Sequence, residues 1–154
     1  MYTEIEQETL DIDWFFTDGE HIGFVASGGG KLPEVIAGSS ENNQKLISYF
    51  RSLRDISTTV INPNLDSLLY EVFGNGADER YLRDFLLMTR KGLYSFDKTY
   101  LNSFFDSNYH LVAIPSTPLT LEELPRDIFE ILIKAKYTEG NLSNISVLDA
   151  NKVL

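Results

Sequence analysis

His21 and His110 are the only imidazoles in the chain, so acid–base chemistry near neutral pH starts with them. Either would act as a general base if a carboxylate such as Asp13 or Asp97 oriented it. Tyr94 lies close to Asp97 in sequence, which makes His21, Asp97, Tyr94 and His110 one candidate site assembled from dispersed residues. No Gly-x-Ser-x-Gly elbow accompanies either histidine, so a nucleophilic triad does not follow. A solvent-facing or hydrogen-bonded structural histidine is the commoner reading of each position.

Gly28-Gly29-Gly30-Lys31 invites a phosphate-loop reading, because consecutive glycines can turn their amides toward a phosphate and lysine adds charge. The pattern fails at both ends. Val25 stands where the first glycine belongs, and Leu32 stands where Ser or Thr must follow the lysine. The run reads instead as a flexible connector or partner-contacting loop. Gly74-Asn75-Gly76 lacks the third glycine of a dinucleotide fingerprint, since position 79 is Glu79. Asp11 and Asp13 begin like a calcium loop, but Phe15 occupies the third ligand position. Glu122-Glu123 and Asp78-Glu79 resemble glycosidase carboxylate pairs, yet each opens an expected helix, where negative charge favours the helix dipole. None of these patterns calls for a metal or a cofactor.

The elements that would position these residues follow from periodicity. Residues 12–17 and 20–26 are β-branched and aromatic segments joined by Asp18-Gly19, a dipeptide suited to a tight hairpin. Ser40 is placed to cap a helix carrying Leu46, Ile47, Tyr49, Phe50 and Leu53 on one side. Asn62-Pro63 interrupts the chain, and a short helix from Leu65 to Phe73 closes at Gly74. Asp78 opens a further helix to about Thr89, with Tyr81, Leu82, Phe85 and Leu86 as its buried stripe. Strands are expected at Leu93–Asp97 and Tyr109–Ile114, with a loop between them holding the aromatic pair Phe104-Phe105. Leu124-Pro125 begins the last helix, Gly140 ends it, and a short strand falls around Ile145–Leu148. The chain has no repeat, low-complexity segment or linker. The sum is a single α+β domain over residues 1–154, a mainly antiparallel sheet with three or four helices packed on it.

Composition narrows the function classes. Ten Phe, eight Tyr and one Trp supply a real core, and 154 residues suffice to bury roughly two thirds of the unfolded surface. The absence of cysteine excludes disulfides, thiol catalysis and cysteine-based zinc sites. A net charge of −10 argues against nucleic acid and against an anionic membrane surface. No secretory signal and no spanning stretch are recognisable, so a cytoplasmic location is expected; the two Asn-x-Ser triplets at Asn141 and Asn144 then read as chance.

Charge distribution says more. The first 41 residues carry nine carboxylates (Glu4, Glu6, Glu8, Asp11, Asp13, Asp18, Glu20, Glu34, Glu41) against Lys31 alone, whereas residues 51–100 carry seven of each sign. Acidity alone keeps a protein dispersed, but this local excess points to a basic protein partner. If Trp14 and Phe16 turn inward on a strand, Phe15 turns outward and sits exposed among carboxylates, as an interface anchor would. A second layer covering that face would bury it instead.

Several segments resemble the small, acidic, cysteine-free immunity proteins of bacterial polymorphic-toxin systems and related uncharacterised bacterial proteins. They are Asp13-Trp14-Phe15 followed by Asp18-Gly19, the Gly28-Gly29-Gly30 loop before Leu32-Pro33, Gly92-Leu93-Tyr94-Ser95-Phe96-Asp97, and Leu124-Pro125. The resemblance implies stoichiometric neutralisation, in which an acidic surface docks on a basic toxin domain. The residues expected to contact such a partner are Asp13, Phe15, Asp18, Glu20 and Glu34. The alternative is a small-ligand-binding protein or enzyme built on the dispersed set above.

Overall fold

In the computed structural model, which describes residues 1–154, a six-stranded sheet is buried on both faces. The strands are β1 (Asp13–Thr17), β2 (Ile22–Ala26), β3 (Thr59–Ile61), β4 (Tyr94–Lys98), β5 (Asn108–Pro115) and β6 (Val147–Asp149). The helices are α1 (Glu4–Thr9), α2 (Glu34–Ala37), α3 (Ser40–Ser52), α4 (Leu65–Phe73), α5 (Glu79–Thr89) and α6 (Arg126–Leu132). Two short 3₁₀ turns cover Leu121–Glu123 and Ala150–Lys152.

The α+β class expected from sequence is the class observed, but the sheet is mixed rather than mainly antiparallel, and six helices replace three or four. Strand order is β1-β2-β4-β5-β3, with β6 also on β5. β1 and β2 form the expected antiparallel hairpin, its turn held by Gly19 at φ 101°. β2 then pairs parallel with β4, Gly23 facing Tyr94 and Ala26 facing Asp97. A parallel pair needs a long crossover, and here residues 27–93 supply it with four helices and β3. Two of the unexpected helices are short. α1 is set by a capping box, in which Thr3 and Glu6 satisfy each other's backbone amides, and α2 spans only four residues.

The alternation along β1 divides the core. Phe15 enters one layer with Phe24, Leu46, Phe50, Phe85 and Met88, beneath α3, α4, α5 and α6. Trp14 and Phe16 enter the other with Phe96, Tyr109 and Leu111, beneath the segment that follows α6. Phe15 is therefore 0 % exposed and stacks 4.7 Å from Phe50, which removes it as a surface contact. The alternation itself is as expected; a helical layer covers the face that was left open.

A β-bulge reshapes the β4–β5 ladder. Ser95 pairs with Ala113 but Phe96 pairs with Leu111, leaving Val112 without a partner on β4. On the far edge of β5, β3 pairs with residues 113–115 and β6 with residues 108–110. Asn62 fills the gap between them, its amide N–H donating to Val112 O (2.9 Å) and its Nδ2 to Leu111 O (2.9 Å). Gly92, at φ 93°, precedes β4; a Cβ there would approach Leu119 N to 2.6 Å.

Replacing Phe15 with Ala is expected to lower stability by about 3 to 5 kcal/mol, the usual consequence of emptying a packed aromatic site. The check is the urea midpoint with an unchanged m-value; a loss below about 1 kcal/mol would contradict the buried placement.

Candidate functional site

The five residues expected to meet a partner do not form one surface. Asp13 is half-buried and bound to Arg51, whose guanidinium also grips Asp84; Arg51 Nη2 lies 2.7 Å from Asp13 Oδ2. Burial nevertheless holds the Asp13 carboxyl above its ordinary range, with Arg51 opposing. Asp18 accepts from the amides of Glu20 and His21 through Oδ1 and from Leu142 through Oδ2, all at 2.8 Å, so it builds the hairpin turn and pins the C-terminal segment. Glu20 and Glu34 are exposed, but β2 separates them. Glu20 lies before its first residue, Glu34 follows the loop after its last, and a strand of that length spans roughly 13 Å.

The dispersed set divides in the same way. His21 lies against Tyr94 at one end of the sheet, ring centroids 5.8 Å apart. Asp97 and His110 face each other at the other end, where β4 ends and β5 begins.

The glycine loop is packed, not a flexible connector. Gly28 N donates to Asp11 Oδ1 (2.9 Å), Gly30 N to Ser27 O (2.8 Å) and Lys31 N to Phe104 O (2.9 Å), so these amides serve the fold rather than a phosphate. A Cβ on Gly29, at φ 76°, would come 2.9 Å from Glu8 O; one on Gly30 would come 2.8 Å from Tyr109 Oη and 3.0 Å from Lys98 Nζ. Lys98 lies wholly buried beneath this loop, where its Nζ donates to Asp106 O (2.6 Å) and burial lowers its pKa.

Three segments thus converge at the C-terminal ends of β2 and β4: the end of α1, the glycine loop, and residues 99–107. Their outer surface is partly apolar. Phe105 is 72 % exposed, and Leu10 and Leu101 are each 49 % exposed. Phe104 meets Phe105 edge-on at 5.0 Å, and Lys31 Nζ sits 5.8 Å from the Phe105 ring. Glu4, Glu8 and Asp11 lie exposed on the α1 side. The sequence signalled this end through an aromatic pair in a loop, a glycine run suited to contacting a partner, and the acidic N-terminal stretch.

Beneath residues 99–107, on the α5 face of the sheet, lies a buried polar chain. Tyr81 Oη is 2.8 Å from Asp97 Oδ2 and 2.9 Å from His110 Nε2, and His110 Nδ1 is 3.0 Å from Thr99 Oγ1. Asp97 Oδ1 accepts from Lys98 N (2.9 Å). Burial pushes the Asp97 carboxyl up to about 7, with Tyr81 and the Lys98 amide opposing and the Asp11 charge adding to the rise. Burial pushes His110 down to about 4, and raises the Tyr81 phenol far above its usual value, helped by the Asp97 charge.

The chain has two directions. With Asp97 ionised, Tyr81 donates to it, His110 Nε2–H donates to Tyr81, and Thr99 donates to Nδ1. With Asp97 protonated, its carboxyl can donate to Tyr81, and the bonds to His110 and Thr99 can then run the other way, leaving the Thr99 hydrogen free. Both nitrogens of His110 are engaged in either case, so His110 is a link in a relay rather than a free base. Tyr81 and Thr99 escaped sequence reading because their partners come from α5, β4 and β5 together; Tyr81 reads as an ordinary member of a helical apolar stripe.

His110 and Thr99 also border an open cavity of about 390 Å³ between β3 and β6, lined further by Asn62, Asn64, Leu68, Tyr100, Asn108, Ser146 and Val147. It contains no formally charged side chain. A larger depression of about 500 Å³ lies between residues 31–35 and the C-terminal residues Ala150–Leu154.

The two shifted groups act oppositely on stability. The folded state keeps a proton on Asp97 from its ordinary 3.8 up to about 7, so that contribution is full below pH 3.8 and is lost as pH rises through 7. The folded state rejects a proton on His110 from its ordinary 6.5 down to about 4, so that contribution is full above pH 6.5 and is lost as pH falls through 4. Asp97→Asn removes the first slope. Its stability relative to wild type is expected to climb between pH 4 and 6.5, measured by urea unfolding; parallel pH profiles would refute the coupling.

No protein-family model matches the chain, and comparison with curated proteins and with solved structures finds no match to it.

Proposed function

We propose that this chain is a non-enzymatic protein-binding domain of the immunity type, which neutralises a basic toxin domain by docking an acidic surface on it. The observation that carries this reading is that exposed Leu10, Leu101 and Phe105 lie on segments that converge around the glycine loop, where Glu8 meets Gly29 and Asp11 holds Gly28. An apolar centre with a charged rim is the anatomy of a specific interface. The surface is also preorganised. Lys31 N to Phe104 O and Lys98 Nζ to Asp106 O tie residues 99–107 to the body, so little ordering is needed on binding.

In this mechanism the carboxylates act before contact and the apolar residues after it. The net charge of −10 draws a basic partner in and raises the association rate. Phe105 and Leu101 then fill an apolar recess on the partner and slow dissociation. Of the residues expected at the outset, Glu34 belongs to this end of the molecule, beyond the glycine loop, while Glu20 lies at the opposite end.

The experiment captures partners from source-cell extract at low and high salt, identifies them by mass spectrometry, and measures kinetics with the purified partner. Glu4→Lys with Glu8→Lys is expected to slow association several-fold at low ionic strength and to have little effect at high salt. Phe105→Ala is expected to speed dissociation by about tenfold or more. A bound protein whose kinetics ignore both changes, or whose capture is insensitive to salt, would sink this surface as the binding face.

A further inference from the structure

We propose that the cavity between β3 and β6 is a binding site for a small, uncharged, polyhydroxylated ring compound of the monosaccharide or cyclitol kind. The proposal is independent of the docking surface.

Chemistry and rigidity of the walls carry it. Asn62, Thr99 and His110 form a buried floor whose geometry is fixed. Asn62 donates to Leu111 O and accepts from Asn64 N, while His110 is held between Thr99 and Tyr81. The rim is unspent. The side chains of Asn64, Tyr100, Asn108 and Ser146 make no hydrogen bond within the chain. Fixed polar groups below and free ones above, around 390 Å³, are the makings of a ligand site rather than of a packing defect.

The class of ligand follows from what each group can pair with. No lysine, arginine or carboxylate lines the cavity, so an anion or a cation would give up its hydration without a countercharge. The asparagine amides and the Ser146 and Tyr100 hydroxyls both donate and accept. Thr99 is the discriminating group. It presents only an acceptor to the cavity when Asp97 is ionised, and it has a hydrogen to offer when Asp97 is protonated. A carboxylate or phosphate fails the first state, whereas a hydroxyl, which donates and accepts, satisfies both. Leu68, Val147 and the half-exposed Tyr100 ring supply apolar surface for the C–H face of a saturated ring.

The test is a nitrogen-15 NMR titration of the full chain with D-glucose, N-acetyl-D-glucosamine and myo-inositol, and with the charged analogues gluconate and glucosamine. Saturable shifts of the Thr99, Asn108 and Ser146 amides by at least one neutral member are expected at millimolar concentration, with the charged analogues about tenfold weaker. Asn64→Ala and Asn108→Ala, whose side chains hold nothing in the fold, are each expected to weaken that binding by about tenfold. Absence of shifts at the cavity with all three neutral compounds at tens of millimolar overturns the proposal. So does equal binding of the charged analogues, or unchanged affinity in both variants.

Discussion

Two-sided burial of β1 is the constraint on which the rest of the molecule depends. Trp14, Phe15 and Phe16 are consecutive and all fully buried, so neither face of the hairpin can meet water. One face must receive a helical layer and the other the chain that follows α6. Phe16 takes the further step of lying over the backbone of Gly23, its cross-strand partner, where a Cβ would fall 2.2 Å from the ring. The hairpin register is thereby fixed, because a slip of one residue would bring a side chain under that ring and exchange the two faces.

That constraint also explains which parts of the fold were legible. Local signals sufficed for Asp18-Gly19, for the α4 helix ending at Gly74, and for Asp78 as the cap of α5, whose side chain accepts from Tyr81 N. The α3 cap fell one residue earlier than expected, at Ser39 rather than Ser40. The parallel β2–β4 pair was not legible, since nothing local distinguishes a strand that pairs with its neighbour from one that pairs across residues 27–93. β3 was missed because Thr59, Val60 and Ile61 are too short a run to show a period. Of the two readings of the glycine run, flexible connector or partner-contacting loop, the first fails for a related reason. Conformational freedom belongs to the unfolded chain, whereas in the fold each glycine is where Glu8, Lys98 or Tyr109 comes too close for a side chain.

Counting charges proved coarser than placing them. Of the nine carboxylates in the first 41 residues, Glu6 completes the α1 capping box, Asp11 holds Gly28, Asp13 holds Arg51 and Asp18 builds a turn. Structural use therefore accounts for nearly half of the excess that first suggested a partner. The remaining carboxylates stand at different ends of the sheet, with Glu4 and Glu8 on α1 and Glu20 beyond the hairpin turn. The buried chain from Asp97 to Thr99 shows the converse: Asp97 and His110 stood out in sequence, Tyr81 and Thr99 looked ordinary, and their burial together gave the titratable members unusual proton affinities.

The interrupted edge of β5 has a consequence for how the folded molecule behaves in a crowd. A long, flat, unpaired strand is a template on which other chains can extend a sheet. Here the outer rim is split into β3 and β6, three residues each, with Asn62 standing between them where ladder continuity would otherwise run. Val60, Ile61 and Val147 are exposed along that rim, yet an incoming strand would find no register longer than three residues before meeting the break. The same side chain that seals the bulge thus protects the sheet from growing.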